Sequence, residues 1–425
     1  MSGHEDSLEK GGIMYTLGNV TRNTLGMVLA GGKGERLSPI TVNRPKPFVP
    51  FGGKYKIVDF ALSNLFNSGI RKVYILTQYR AYSLNKHIRD SWGKWTGLGE
   101  FYETLSPETS DAREEWFKGT ADAIYHYLRF IEFSDADYVA IFSGDHIYKM
   151  DISQMIDYHR MSRADITLAA LEVPSAEAKR FGIFSVDEDN RVTAFIEKPK
   201  EPVTIPGRDT CFASMGNYIF STKKLCEVLH EGKKLNADLD FGKHVIPMML
   251  QKNDKIFAYN FQDNLIPGMK PEEKGYWKDV GTIDSYYEAN MDLVKVTPQL
   301  NLYNYKWPIL TYQGNLPPAK TVFDYEERRG QNFDSYVCGG CINSGGTVRR
   351  SIVGPRSKIN SYSLVEDSIL FDNVEIGRHA KIRRAIIDEN VKIPDGMEIG
   401  FDHEEDKRKG HTITGSGIVV VTKLN

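Results

Sequence analysis

The sequence predicts a two-part chain: an open, doubly wound, mainly parallel α/β sheet, followed by a parallel β-helix. Three observations predict it. Short apolar runs alternate with segments of helical period up to about residue 296. Several of these runs end in turns rich in Gly or Asp, as expected where ligands meet the carboxyl edge of a parallel sheet. Beyond about residue 335, apolar residues recur every six positions with small turn residues among them.

Residues 1–24 are polar and glycine-rich and read as a surface arm. Met27-Val28-Leu29 is the end of a buried strand that delivers Gly31-Gly32-Lys33-Gly34-Glu35-Arg36-Leu37 to a sheet edge. From Ile57 to Ser68, Ile57, Ala61 and Leu65 share one helical stripe, and Gly69 supplies a stop. Val73–Thr77 is the next strand, completing a βαβ unit. Thr120 is placed to cap a helix running to about Phe133. Tyr138–Phe142 is a buried strand ending at Ser143-Gly144-Asp145-His146. Ser153–Met161 reads as a helix, Ile166–Leu171 as a strand, and Thr282–Val296 as the last helix of the α/β part, residues 25–296. Residues 297–334, rich in Pro, Asn, Tyr and Gly, read as a linker. In residues 335–425, the sets Ile376/Ile382, Val374/Ala380/Ile386 and Ile393/Ile399 carry the six-residue period. About eighteen residues per coil leave room for a few coils.

A chain of 425 residues has room for about two domains and a large core. Lys+Arg 54 against Asp+Glu 56 give a formal charge of −2, so no global basic field points to nucleic acid. No apolar run approaches the length that spans a membrane, and the first nineteen residues lack the apolar core of a secretory signal. Four cysteines make no disulfide framework, and Cys338-Gly-Gly-Cys341 has no second pair to complete a zinc site. It reads as two packed thiols, and the cytoplasm is the expected location.

The glycine turn is the first chemical motif. Successive backbone N–H groups in such a turn form a concavity for phosphate oxygens, and Arg36 and Lys46 add full charges beside it. It is neither a P-loop, lacking the Lys-Ser/Thr ending, nor a dinucleotide fingerprint, having Leu37 in place of the last Gly. A plain structural turn is the alternative. Asp145 and Asp279, each at the end of an apolar segment, offer hard oxygen ligands suited to Mg²⁺. An aspartate before a helix also serves as an N-cap. Lys198, between Glu197 and Pro199, is a fixed cation where a phosphate could sit, or an ordinary surface lysine. Ser214, Tyr218 and Asp240 offer groups that orient sugar hydroxyls. His146, His159 and His244 show no paired zinc spacing, and no GxSxG elbow is present; these histidines read as packed or solvated.

The turn together with Arg44-Pro45-Lys46-Pro47 resembles the signature of sugar-nucleotide pyrophosphorylases. Phe51-Gly-Gly-Lys-Tyr-Lys-Ile-Val-Asp-Phe-Ala-Leu-Ser-Asn64, Gly119-Thr-Ala-Asp-Ala123, Ser143-Gly-Asp-His-Ile-Tyr-Lys149, Glu197-Lys-Pro199, Ala213-Ser-Met-Gly216, Asp240-Phe-Gly-Lys243 and Trp277-Lys-Asp-Val-Gly-Thr282, in this order, resemble the ADP-glucose pyrophosphorylase family (glucose-1-phosphate adenylyltransferases) from about Leu25 to Lys423. The resemblance implies a Rossmann-like nucleotide-diphospho-sugar transferase fold with a left-handed β-helix. It implies transfer between ATP and glucose 1-phosphate, with Mg²⁺ on Asp145 and Asp279. Arg36, Lys46, Asp145 and Lys198 would be catalytic. ATP would lie on Gly31, Gly32 and Gly34, near Gln78, Gly119 and Thr120. Glucose 1-phosphate would be surrounded by Phe117, Gly182, Glu197, Lys198, Ser214, Tyr218 and Asp240. Gln78 and Trp116 would relay between sites, Arg44 would bind a small-molecule effector, and the β-helix would serve regulation and assembly of a homotetramer.

The sequence departs from the family at Pro45 (usually Ala), at Phe117 (often Tyr) and in the loop Glu100–Arg113, which lacks a Gln-Arg pairing. Positions that carry Lys, His and Arg in members responding to fructose bisphosphate and AMP are here Asn43, Pro50 and Lys56. Weak or absent activation by fructose 1,6-bisphosphate is therefore expected. Three alternatives share parts of the pattern: the same chemistry with UTP, dTTP or GTP; a bifunctional enzyme whose β-helix transfers acyl groups; and a non-catalytic regulatory subunit. The short repeat region, with His379 its only histidine before the tail, argues against the second. Retention of Arg36, Lys46, Asp145, Lys198 and Asp279 argues against the third.

Overall fold

Strand Thr24–Leu29 lies inside a nine-stranded sheet and sets its direction. The chain, as a computed structural model, is described over residues 20–94, 96–107, 117–205, 207–312 and 314–422. Thr24–Leu29 pairs in parallel with Lys72–Leu76 and with Tyr138–Ser143, and Lys72–Leu76 pairs in parallel with Phe101–Leu105. The carboxyl ends of all four strands therefore share one edge. Thr210–Ser221 runs antiparallel to Tyr138–Ser143 and to Ile166–Pro174, and extends the sheet toward Gly182–Val186 and Val192–Glu197.

Alternation along the strands divides the core into two layers. Leu25 and Met27 face one cluster, completed by helices Thr120–His126 and Thr222–Leu235. Val28 faces the other, completed by Ile57–Asn67, Ala81–Trp92 and Ile152–Met161. The two-residue period of a strand thus becomes a sheet covered on both faces.

Three elements differ from the sequence reading. Thr120 does not cap its helix: Gly119 holds the cap position, and the helix breaks at Tyr127 before resuming over Leu128–Glu132. The Thr120 hydroxyl donates instead to Asp240 Oδ2, 2.9 Å away. The region read as a linker already contains the first β-helix strands, since Lys320–Val322 pairs in parallel with Ile342–Ser344 and Gln331–Phe333 with Thr347–Arg349. Its polar residues hide the repeat because these first strands are largely exposed. Finally, the coil register is 16 residues at first, as in Tyr336 with Ile352, and 17 in the later coils, as in Ile352 with Ile369, so neither reaches three full hexapeptides.

The β-helix is left-handed and stacks its coils in three parallel faces. It shares a core with the sheet domain: Phe51, Phe60, Tyr286 and Leu293 pack in one cluster with Ile352, Ile369, Phe371 and Ile386. Helix Ile283–Leu293 lies at this junction, where the Tyr287 hydroxyl donates to Asp367 O at 2.6 Å. No helix among the described residues is long and apolar enough to cross a membrane.

His159 is buried on the inner face of helix Ile152–Met161, with Nδ1 2.8 Å from Thr167 Oγ1 and Nε2 3.1 Å from Ser221 Oγ. Burial pushes its pKa down to about 4. The unfolded chain takes up this proton near pH 6.5, so the stabilisation is complete above that pH and is lost as the pH falls toward 4. We predict that lowering the pH from 7.5 to 5 costs about 2 kcal/mol through this residue. The melting temperature of a His159→Gln variant should depend less on pH over this range than that of the native chain. Identical slopes would show that His159 is not the titrating group.

Candidate active site

Strand Thr24–Leu29 stops at the shared edge, and the glycine turn begins. A Cβ on Gly31 would lie 3.1 Å from Gln78 Cβ, so the bare backbone lets the turn pack on the next strand's exit. Gly34 has φ +67, and a Cβ there would come within 2.7 Å of Lys46 Cβ. The Gly34 conformation and its contact with Lys46 favour glycine. Thr41 Oγ1 donates to Gly34 O at 2.8 Å, and Lys46 N–H reaches Gly32 O at 3.4 Å. The turn is thereby stitched to the segment that carries Lys46. Beside it opens a cleft of about 440 Å³ whose walls include Gly31, Gly32, Gln78, Phe117, Gly119 and Thr120. Asp145 and Asp240 complete its far side.

Lys46 is the centre of charge. It is buried, and its Nζ lies 3.0 Å from Asp145 Oδ2 and 2.8 Å from Asp279 Oδ1. Burial opposes the ammonium charge, but the two carboxylates outweigh it and raise the pKa above the usual lysine value. Asp145 is held well below the usual carboxylate range: burial works against ionisation, while His146, Lys46 and the Ser143 hydroxyl favour it. Asp279 also faces Arg36, with Nη2 at 3.7 Å. Trp277–Asp279 pairs with His146–Tyr148, which brings the two aspartates together from distant parts of the sequence.

Asp145, Asp279 and His146 present ligand atoms within 4.8 Å of one another. Two carboxylates plus incoming phosphate oxygens form the donor set that a hard divalent cation takes. Residues and ion therefore fit. His146, which the sequence reads as packed or solvated, packs beside these two carboxylates. Its Nε2 lies 3.4 Å from Asp145 Oδ1, its ring packs 4.7 Å from that of Trp277, and its buried Nδ1 has no hydrogen-bond partner among the described residues. Burial lowers its pKa, against the pull of Asp145. The available signal was its place directly after Asp145 at a strand end.

A second group lies along the antiparallel strands. A Cβ on Gly182 would come 2.9 Å from Glu197 Oε2, and one on Gly242 would come 2.7 Å from the same oxygen. Two glycines thus make room for the Glu197 carboxylate. Lys198 adopts φ 49, its N–H bonds Phe181 O at 3.0 Å, and its mostly exposed ammonium lies 3.4 Å from Glu197 Oε1. Asp240 Oδ1 accepts from the Gly242 and Lys243 N–H groups at 3.0 and 3.1 Å, and the Tyr218 ring packs on Phe241 at 5.2 Å. Ser214 Oγ accepts from Gly216 N–H at 3.2 Å.

Two residues named by the resemblance remain. Trp116 lies outside the described residues. Arg44, assigned by resemblance to effector binding, is buried and already paired with Asp388 and Glu389 of the β-helix, each at 2.8 Å. An effector would have to displace these carboxylates to use it.

Residues 25–296 match the nucleotidyl transferase family, and residues 317–421 match the GlmU-like C-terminal hexapeptide family. The chain is 77% identical over 409 residues to a protein of Geobacter metallireducens named glucose-1-phosphate adenylyltransferase, covering 96% of this chain and 99% of that one. Identity is 75% over 410 residues to a protein of the same name from Trichlorobacter lovleyi, covering 96% and 99%. It is 49% over 405 residues to one from Deinococcus deserti, covering 94% and 98%.

The cluster predicts a measurable ion site. Asp145→Asn and Asp279→Asn should each weaken Mn²⁺ binding, read by calorimetry or paramagnetic resonance, by at least about tenfold. Unchanged affinity in both variants would remove these aspartates from cation binding.

Proposed function

The chain belongs to the glucose-1-phosphate adenylyltransferase family, and on that premise we propose that it joins ATP and α-D-glucose 1-phosphate into ADP-glucose, releasing diphosphate. ADP-glucose is the glucosyl donor for glycogen and related α-glucans. The observation that carries the reading is Lys46 held between Asp145 and Asp279 beside the glycine turn.

In this reading an oxygen of the sugar phosphate attacks the α-phosphorus of ATP, and the bond to the β-phosphate breaks. The nucleophile is already ionised, so no side chain needs to remove a proton. Catalysis then depends on in-line placement and on neutralising charge. The backbone of Gly31–Gly34 and Arg36 receive the triphosphate, and Gln78, Gly119 and Thr120 line the nucleotide cleft. Lys46 stands where charge develops at the transferred phosphorus. Glu197, Ser214, Tyr218 and Asp240 orient the glucose ring, with Phe117 and Gly182 beside them, and Lys198 meets its phosphate. Asp145 and Asp279 would hold Mg²⁺, which would supply further charge neutralisation at the phosphates.

Small anionic effectors fit the cleft of about 450 Å³ between the two domains, lined by Lys54, Lys56, Arg356 and Asp372. Lys56 lies 4.7 Å from the centre of the Phe48 ring, and burial lowers its pKa, so an arriving anion would favour its charge. Family resemblance supports a homotetramer. The free state of all four cysteines supports a reducing, cytoplasmic location.

The function is tested by offering ATP, UTP, dTTP and GTP with glucose 1-phosphate and following diphosphate release. ATP should give the highest kcat/KM, and a preference for another triphosphate would overturn the assignment. Lys198→Ala should raise the KM for glucose 1-phosphate at least about tenfold more than that for ATP. Equal rises would move Lys198 away from the sugar phosphate.

For regulation, a panel of phosphorylated and carboxylate metabolites at subsaturating ATP should give an activator other than fructose 1,6-bisphosphate. Lys56→Gln should reduce that response more than it reduces basal kcat. Strong fructose bisphosphate activation, unaffected by Lys56→Gln, would place the effector site elsewhere. Sedimentation velocity reads the assembly.

A further inference from the structure

Arg44 precedes the central lysine by two residues, and its surroundings belong to the other domain. Nη1 donates to Ile40 O at 3.1 Å and lies 2.8 Å from Asp388 Oδ1. Nη2 lies 2.8 Å from Glu389 Oε1, and Phe371 covers the guanidinium with its ring centre 5.7 Å away. Only 3% of Arg44 is exposed. A buried cation of this kind is stable only while its acids stay in place, and removing them leaves an uncompensated charge.

The acids are rigidly presented. They follow strand Ala385–Ile387, Asp388 N–H donates to Val421 O at 2.9 Å, and Glu389 N–H donates to Asp388 Oδ1 at 2.8 Å.

The path from Arg44 to Lys46 is stiff as well. Pro45 and Pro47 flank Lys46, and Lys46–Phe48 forms a tight turn in which Phe48 N–H bonds Pro45 O and Val49 N–H bonds Lys46 O. The guanidinium also bonds the carbonyl of Ile40, at the start of the same stretch. The guanidinium is thus one anchor of the backbone segment that carries Lys46 toward Asp145 and Asp279.

We infer that Asp388 and Glu389 of the β-helix are positioning residues for nucleotidyl transfer, holding Arg44 so that Lys46 stays aligned with the reacting phosphates. This rests on the functional reading above. It assigns the β-helix a part in the basal reaction, in the absence of any effector.

The test is a full-length Asp388→Ser/Glu389→Ser variant, which leaves Arg44 without an acid and opens space beside it. A misplaced lysine should lower kcat by at least about tenfold and change the KM for glucose 1-phosphate by less than about twofold. A free carboxylate can refill the vacated place. Acetate at about 50 mM should therefore restore kcat at least about threefold in the variant, not in the native enzyme, and not when Arg44→Ala is added. A purely structural role would give no acetate rescue.

Native-like kcat in the variant, or a loss that acetate does not relieve, would overturn the proposal. If the double variant does not fold, Glu389→Gln and Glu389→Asp replace it: a clearly higher kcat for the Asp form supports the role, and equal kcat overturns it. Failure of the native chain to make ADP-glucose would instead overturn the functional reading.

Discussion

The structure depends on one buried ammonium shared by two carboxylates. Lys46 meets Asp145 and Asp279, which lie 99 and 233 residues away in the sequence. A charge withdrawn from water must be compensated at close range, or the site loses several kcal/mol. Three segments therefore have to arrive together: the stretch after the glycine turn, the exit of the Tyr138–Ser143 strand, and the turn before helix Ile283–Leu293. Each is delivered by regular structure. The parallel strands bring the first two to one edge, and the short pairing of Trp277–Asp279 with His146–Tyr148 brings the third.

A second buried charge anchors the same region from below. Asp59, near the start of helix Ile57–Asn67, is fully buried and accepts bonds from Lys56 N–H, Thr311 Oγ1 and Trp92 Nε1 at 2.8, 2.6 and 3.2 Å, with His87 Nε2 2.8 Å away. Burial opposes its ionisation, yet His87, the Thr311 hydroxyl and the Lys56 N–H lower its pKa below the usual value. Thr311 belongs to the stretch that leads into the β-helix, so this aspartate ties the connection back onto the sheet domain. Helix Ile283–Leu293 provides a parallel tie, since its tyrosines pack on the β-helix core. With Arg44 on Asp388 and Glu389, the two domains meet through shared apolar surface and through buried polar contacts. Such contacts are directional and fix the relative placement more tightly than apolar surface alone.

Legibility in the sequence followed the reach of each signal. Periodicity and turn chemistry are local, so strands, helices and the glycine turn could be read directly, and the shared edge followed from the alternation. Asp145 and Asp279 stood out because each ends an apolar segment. What could not be read was pairing across distance. Nothing in the sequence near Lys46 says that its ammonium sits between those aspartates, or that Arg44 faces the β-helix. Thr120 was read as a local cap, whereas its hydroxyl reaches Asp240, 120 residues on. The first β-helix coil was hidden for a different reason: exposed polar residues fill strand positions that the six-residue pattern expects to be apolar. A single histidine such as His146 has no spacing to measure, so its place beside Asp145 and Asp279 is visible only in the fold.

The charge balance of the site bears on how it receives highly charged substrates. Asp145 and Asp279 face Lys46 and Arg36, two anions against two cations, so these four side chains together are close to neutral. A balanced cluster costs far less to bury than an unpaired charge would. A nucleoside triphosphate and a sugar phosphate add several negative charges, which Lys46 and Arg36 cannot neutralise while they also balance the aspartates. Asp145 and Asp279 would hold a divalent cation, which would supply the further positive charge, while Lys46 and Arg36 would face the phosphates. Lys46 would thus act twice, first as the internal counter-ion that preserves the geometry of the carboxylates, then as the charge that meets the transferred phosphorus. This double duty requires an ammonium close to both aspartates and free to turn toward the cleft, and the stiff backbone between Arg44 and Val49 leaves the side chain as the part able to move.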